Sequence, residues 1–421
     1  MTEPNRTAGS ARAAALALVF AGLLSARCAQ TPPSAPAQPP PGSSTTADAA
    51  PAPVPAQPAT PNAAPTLPAG LATAPYPHDT AHKGAPPQTL TFDTAAPAHA
   101  GEPAHFSALQ YSGWELGTNL NVTIVTGDEA AARKTLDEII AKIREFNQAT
   151  SSWMPGTDIA TINAQAGIAP VKVSALTLEQ VQLALQAARE TDGAFDPTWA
   201  ALWGLWDYSA AHPRVPSDAE IAAKLPLINW RDVVVDTAHS TVFLKRAGMK
   251  LDLGGITKGS LVGKLGALLK ERGFHDFLVQ MGGELIAAGH NPRGTLWRIG
   301  MQHPRKRDYY VAAPELTDVD ISTSGDYERF FFANGKRYHH IIDPKTGRPS
   351  RGLIMVTVIG HDGALCDAYA TALMVMGQTK AEAFVTQHPG LRVVTIDRDG
   401  NIWSNDPELR KQYPAKIEGG E

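Results

Sequence analysis

From Phe106 onward, apolar residues recur with two distinct periods, and each period predicts its own kind of element. Leu120 to Val125 alternates apolar and polar, the pattern of a half-buried strand. Asp128 is placed to cap a helix that carries Leu136, Ile139, Ile140, Ile143 and Phe146 on one face. Thr177-Leu178-Glu179-Gln180 reads as a capping box, opening a helix with Leu178, Val181, Leu185 and Ala188 inward and Gly193 at its end. Val233–Val235 and Val242–Leu244 form a predicted strand pair, and Met249–Leu253 a further strand running into Gly254-Gly255. Leu261, Leu265 and Leu268 mark a helix that stops at Gly273. Phe277–Val279, Trp297–Gly300 and Met355–Ile359 are expected strands, and Thr379-Lys380-Ala381-Glu382 is a second expected capping box. Arg392–Ile396 closes the series before a hairpin turn at Asp399-Gly400.

Strands and helices mix without a regular βαβ alternation. The expected class is therefore α+β, with mixed or antiparallel sheets and packed helices. No GxGxxG follows a strand, and Gly254-Gly255-Ile256-Thr257-Lys258-Gly259-Ser260 is not a Walker loop, because its Lys precedes the Gly. The two common nucleotide-binding folds are disfavoured.

The first hundred residues lack such periodicity. Arg6 and Arg12 precede a short apolar run, Ala13 to Ser25, which is too short to span a bilayer comfortably. Residues 1–28 read as an export signal. Leu23-Leu24-Ser25-Ala26-Arg27-Cys28 resembles a lipobox with Cys28 as the lipidated residue, although Arg27 stands where a small residue is usual. Simple secretion remains the alternative. Residues 29–104 are rich in Pro, Ala, Thr and Ser, and such a segment reads as a disordered, semi-extended linker. The folded domain is expected over residues 105–415, exported to the periplasmic side and, if Cys28 is lipidated, tethered to the inner membrane.

Composition narrows the chemistry. The chain has 421 residues, 43% of them hydrophobic, and a formal net charge of −4. That balance offers no basic patch for a nucleic acid. Cys28 and Cys366 are its two cysteines, which excludes a disulfide framework and a CxxC metal site.

Five stretches carry candidate chemistry. Leu251 to Ser260 delivers a glycine turn to a helix start, where unpaired N–H groups suit a phosphate. Lys258 can add positive charge there, and Asp252 can bind a ligand hydroxyl or ring N–H. A plain strand–helix connection gives the same pattern. Asp367 and Thr371 are four apart, so a helix presents both oxygens on one face, a hard-oxygen pair suited to Mg²⁺. Alone, they also fit an Asp near a helix start and a Thr bonded to a carbonyl. In Tyr338-His339-His340-Ile341-Ile342-Asp343-Pro344, His340 is a candidate general base. Neighbouring strand positions face opposite ways, so His339 and His340 do not chelate one ion, and one of them is structural. In Asp192-Gly193-Ala194-Phe195-Asp196-Pro197-Thr198, Phe195 can pack on a planar ring or plug the core. The hydroxyl run Ser322-Thr323-Ser324 before Gly325 suits a phosphate or a simple turn.

In order, these stretches resemble the ApbE family, the FAD:protein FMN transferases. The resemblance runs from about Leu116 to Gly377. It rests on Leu116-Gly117-Thr118 (the family usually has Met first) and on Ser151-Ser152-Trp153 with Asn163, where Tyr is frequent at the Trp position. Gly193 to Thr198, Asp252-Leu253-Gly254-Gly255 with Lys258-Gly259, and Gly282-Gly283 continue the series. Thr323 to Tyr327, His340 to Pro344 with Gly347, and Asp367-Ala368 with Ala370 to Leu373 complete it.

The resemblance implies that Leu116, Trp153, Ala194, Phe195, Asp196, Asp252, Lys258 and Ile341 contact FAD. It implies Mg²⁺ ligation by Asp367, Thr371 and the carbonyl of Gly255, and a base at His340. The implied reaction moves FMN from FAD to a threonine or serine hydroxyl of a partner protein and releases AMP. Family acceptors carry an Asp-x-x-Ser/Thr-Gly-Ala-Thr-like segment. None occurs here, so the chain is the expected donor enzyme, and a membrane redox complex the expected partner. Two alternatives stay open: a secreted FAD pyrophosphatase giving FMN and AMP, and a flavin-binding protein without turnover.

Overall fold

Nine strands form one sheet in which spatial order equals chain order. They are β1 (Thr89–Asp93), β2 (Ala108–Glu115), β3 (Thr118–Val125), β4 (Phe277–Met281), β5 (Glu284–Ala288), β6 (Val319–Gly325), β7 (Leu353–Gly360), β8 (Arg392–Asp397) and β9 (Ile402–Ser404). Every neighbouring pair is antiparallel. The computed structural model describes residues 88–94, 105–208 and 213–418. Helices α1 (Glu129–Thr150), α2 (Asp158–Ala164), α3 (Ala175–Glu190), α4 (Asp218–Lys224) and α5 (Thr257–Glu271) lie between β3 and β4. Between β7 and β8 come α6 (Gly363–Met376) and α7 (Gln378–Gln387), and α8 (Pro407–Lys411) follows β9. This is the expected α+β class.

The alternation read along β3 holds. Leu120, Val122 and Ile124 are buried and join Leu109 and Tyr111 of β2 and Val279 of β4 beneath α1 and α5. Helix α1 presents Leu136, Ile139, Ile143 and Phe146 to that layer, and Asp128 caps it by accepting from the Ala131 N–H at 2.9 Å. Strand β7 is buried at every position. Val356 and Val358 pack toward α3 and α6, whereas Met355 and Ile359 join Ile321 and Ile396 in a core on the opposite face. A strand covered on both faces reads as a continuous apolar run.

Several expected elements differ. The segment 29–104, expected to be linker throughout, contains β1, which pairs with β2 from Thr89↔Ser112 to Asp93↔Ala108. Thr-Leu-Thr-Phe-Asp has strand alternation, and an edge site with most side chains exposed suits so short a run. The rest of that linker and the export signal with Cys28 lie outside the described residues. Met249–Leu253 is not a strand. Its backbone bonds go to a side chain and a loop: Asn163 accepts from Leu251 N–H at 2.6 Å and donates to Leu251 C=O at 2.9 Å, and Asp252 N–H donates to Pro197 C=O at 2.9 Å. Helix α3 starts earlier than read, because Ser174 is its cap and Thr177 lies inside it, donating to Asp158 at 2.7 Å. Helix α7 has no side-chain cap. Gly377, at φ +74°, turns the chain directly from α6 into it, and Glu382 accepts instead from Gln378.

Helices α5 and α6 approach so closely that glycine is obligatory at their crossing. A Cβ on Gly259 would stand 2.0 Å from the Gly363 carbonyl oxygen, and one on Gly363 would stand 2.4 Å from that of Gly259. At Gly263 on the same helix there is room: a Cβ there would meet nothing nearer than 3.5 Å. Helix propensity alone favours Gly→Ala by up to about 1 kcal/mol. Gly259→Ala should instead destabilise by about 1–3 kcal/mol through overpacking, while Gly263→Ala is neutral or stabilising. Urea unfolding of the two variants checks this, and equal effects would show that the crossing does not require glycine.

Candidate active site

Helix α6 is almost wholly buried, and its polar residues are therefore costly unless partnered. Asp367 accepts from the Gly259 N–H at 3.1 Å and lies 3.9 Å from Lys258 Nζ. Burial pushes its carboxyl above the usual range, against the pull of Lys258. One turn on, Thr371 Oγ1 is 3.3 Å from Ser324 Oγ on β6. The two side chains share a helix face, as the spacing predicted.

The glycine turn meets this face. A Cβ on Gly255 would stand 3.6 Å from Thr371 Oγ1 and 3.1 Å from the Phe195 ring. Gly255 is therefore clamped between the hydroxyl and the aromatic ring, and Phe195 is buried. The turn is held from within, because Asp252 accepts from Gly254 N–H at 2.9 Å and from Ser152 Oγ at 2.7 Å. Burial raises the Asp252 pKa, with these two bonds opposing the rise. Ile256 offers no side-chain cap to α5; the Thr257 N–H donates back to Leu253 C=O at 2.9 Å and the Gly259 N–H to Asp367. Lys258 arches over the turn, donating to Gly254 C=O at 3.3 Å and pairing with Glu284 at 3.3 Å.

Glu284 went unread in the sequence. It follows Gly282-Gly283 at the start of β5, only 4% exposed, and its Oε2 has no hydrogen-bond partner. Burial raises its pKa to about 8, with Lys258 opposing and Asp367 reinforcing the rise. The available signal was a carboxylate directly after a glycine pair at a strand start. Such a residue lies in the sheet, next to whatever the turn approaches.

The remaining candidates lie around this centre. Leu116 and Gly117, at φ +50° and +74°, make the two-residue turn between β2 and β3. Thr118 beyond it lies 2.8 Å from where a Gly282 Cβ would stand, which brings that turn to the Gly282–Glu284 end of the sheet. Ala194 and Ile341 are buried in the same apolar cluster as Phe195. Asp196 commits both oxygens to the fold. Oδ1 accepts from Thr198 N–H at 2.8 Å and Thr198 Oγ1 at 2.6 Å, and Oδ2 from Trp230 N–H at 3.0 Å. Its carboxylate shapes the loop that carries Phe195. Trp153 is 36% exposed and stacks on Trp203.

The paired histidines divide as expected. His339 uses Nε2 to bond the Ser350 carbonyl at 2.8 Å, a structural role. His340 is half-buried, and its Nδ1 has no partner. Burial pushes its pKa down to about 3, helped by the positive charge of Arg329 and more weakly by Lys258.

The oxygen set fits a hard divalent cation. Asp367 and Thr371 are hard-oxygen donors on one face of α6 and the Gly255 turn packs against Thr371, while among the described residues no group of three His, Cys, Asp or Glu forms a metal cluster. So few protein ligands match Mg²⁺ sites whose coordination is completed by water and substrate phosphate. A phosphate can in turn reach the start of α5 and Lys258.

Comparisons with known proteins identify the family. The chain is 31% identical over 302 residues to the FAD:protein FMN transferase of Klebsiella pneumoniae, covering 70% of this chain and 85% of that protein. It is 33% identical over 293 residues to the Vibrio cholerae enzyme of the same name, covering 68% and 87%. The crystal structure of the ApbE protein of Thermotoga maritima superposes with a TM-score of 0.66 at 29% identity, covering 73% of this chain and 99% of that one. The flavin transferase ApbE of Vibrio cholerae gives a TM-score of 0.65, also at 29% identity and with the same coverage. The model of the ApbE family matches residues 116–395, a span that holds every candidate residue above, and the chain belongs to the ApbE family of FAD:protein FMN transferases.

Proposed function

We propose that this enzyme transfers FMN from FAD to a threonine or serine hydroxyl of a partner protein, in a Mg²⁺-dependent displacement that releases AMP. The observation that carries the reading is the convergence of Asp367, Thr371 and the Gly255 turn beside an uncapped helix start. The FAD diphosphate is bound at the Gly254–Gly259 turn, with Lys258 supplying positive charge. Mg²⁺ held by Asp367, Thr371 and the Gly255 carbonyl supplies neutralisation of phosphate charge. Trp153, Phe195 and Ile341 offer apolar contact to the rings.

His340 is the proposed base. Its depressed pKa keeps the imidazole neutral across the physiological range, and the anionic diphosphate alongside raises its basicity once substrate is bound. It takes the proton from the acceptor hydroxyl. The oxygen attacks the FMN phosphorus, the bond to the AMP phosphate breaks, and the product is a phosphoester-linked flavin. The acceptor carries an Asp-x-x-Ser/Thr-Gly-Ala-Thr-like segment and belongs to a membrane redox complex. The N-terminal pattern supports an exported enzyme on the periplasmic side, with Cys28 as its lipid anchor.

Incubation with FAD, Mg²⁺ and an acceptor peptide, read by intact mass, should add one FMN to the peptide and release AMP. Free FMN and AMP with an unlabelled acceptor would replace the transferase reading with a hydrolase. Asp367→Ala is expected to abolish Mg²⁺-dependent turnover, and an unchanged rate would refute the metal assignment. His340→Ala should slow transfer by about 10²–10⁴-fold while FAD still binds; lost binding would make it structural.

His340 also predicts a pH dependence of stability. Its folded pKa, about 3, lies below its unfolded value of 6.5. Below pH 6.5 the unfolded chain takes up a proton that the folded chain refuses, so stability falls as pH drops toward 3. His340→Gln should flatten that acid limb by up to about 1.4 kcal/mol per pH unit. Denaturant titrations at pH 7, 5.5 and 4.5 measure the slope, and parallel curves for both proteins would contradict the burial argument.

A further inference from the structure

Trp153 sits on an irregular segment after α1, and Met154 beside it is also exposed, at 39%. An aromatic ring in such a place is not core packing. It is nevertheless fixed. Its ring stacks on Trp203 with centroids 4.2 Å apart and planes 21° apart. Trp203 is itself braced by the edge of Trp199 at 6.4 Å and lies 5.6 Å from the Lys250 ammonium. Both ends of this column are tied to the glycine turn. Ser152 donates to Asp252, and Lys250 lies two residues before that aspartate on the segment entering the turn.

We propose that Trp203 is a positioning residue that holds Trp153 as a preset stacking plate for a planar ring of the dinucleotide substrate, with Lys250 and Trp199 setting Trp203 in turn. The inference rests on the flavin-transferase reading of the site and assigns a residue outside the direct contacts listed there. At 4.2 Å the two indoles leave no room for a third ring between them, so the ligand takes the face of Trp153 turned away from Trp203. Unbacked, Trp153 would have to be immobilised at the moment of binding, at a cost in side-chain entropy. The stack meets that cost during folding. The adenine and the isoalloxazine are both flat heteroaromatic rings, and the geometry accepts either.

The test is FAD binding to the full chain with Mg²⁺, followed by quenching of flavin and tryptophan fluorescence, for wild type, Trp203→Leu, Trp203→Phe, Trp153→Ala and the Trp153→Ala/Trp203→Leu double variant. Trp203→Leu should raise the Kd for FAD and the KM by the same factor, about 3–10-fold, with kcat within twofold. Trp203→Phe should recover most of the loss, and the double variant should bind no worse than Trp153→Ala alone. Competition by FMN and by AMP tells which ring is held, since only the one that uses the plate loses affinity in Trp203→Leu. Wild-type affinity for both competitors in that variant would overturn the proposal. So would additive losses in the double variant, or a kcat loss at unchanged KM. If Trp203→Leu lowers Tm, Trp203→Phe at unchanged Tm decides by the same comparison with Trp153→Ala. Wild type that fails to bind FAD at all would sink the flavin reading itself.

Discussion

The contact on which the site depends is the crossing of α5 and α6 at Gly259 and Gly363. Without side chains between them, two backbones come within van der Waals contact, and the Gly259 N–H reaches the carboxylate of Asp367. The anion-binding end of α5 and the oxygen-bearing face of α6 are thereby held at one separation. Phe195 presses the glycine turn from the other side. Any change that spreads the helices moves the glycine turn away from Thr371 and the Gly259 N–H away from Asp367.

Electrostatics follow from this closeness. Asp367, Glu284 and Lys258 share a space with little water, so burial dominates and both acids are driven toward their neutral forms. A lone lysine cannot fully satisfy two carboxylates in that setting. The arrangement is poorly balanced as a fold element and well suited to receiving further positive charge. His340 follows the same logic with opposite sign: it is half-buried, neutral and short of one partner. Buried groups that the fold leaves unsatisfied are explained most simply by the molecule that completes them.

Much of this was legible in the sequence, and the exceptions have physical reasons. Period-two and period-3.6 patterns located β3, α1 and α5 because each buries one face, and a continuous apolar run located β8, which is covered on both. The four-residue spacing of Asp367 and Thr371 puts both side chains on one face of α6, since that segment is helical. Met249–Leu253 misled, because an extended apolar run looks the same whether its backbone pairs with a strand or with the side chain of Asn163. Strand β1 was lost inside a proline-rich background, where five residues offer too short a pattern. Asp196 was read by its position in a series of motifs, and only coordinates reveal that Thr198 and Trp230 occupy its oxygens. Glu284 and Trp203 escaped because their meaning lies entirely in long-range neighbours.

The sheet runs in chain order, yet between β3 and β4 the chain departs and returns only at Phe277. Trp153, Phe195, Asp252, Gly255 and Lys258 all lie on that excursion, while Glu284, His340, Asp367 and Thr371 come after it. Strands β1 to β3 can pair as local hairpins, but the junction from Leu120↔Met281 to Ile124↔Phe277 closes a very long loop. On a ribosome the N-terminal hairpins would emerge well before their partner strand. The oxygens of α6 emerge later still, so no chain that stops short of Thr371 holds the full set of these residues. Catalytic competence in this architecture is a property of the finished chain, acquired in one late step rather than built up along its length.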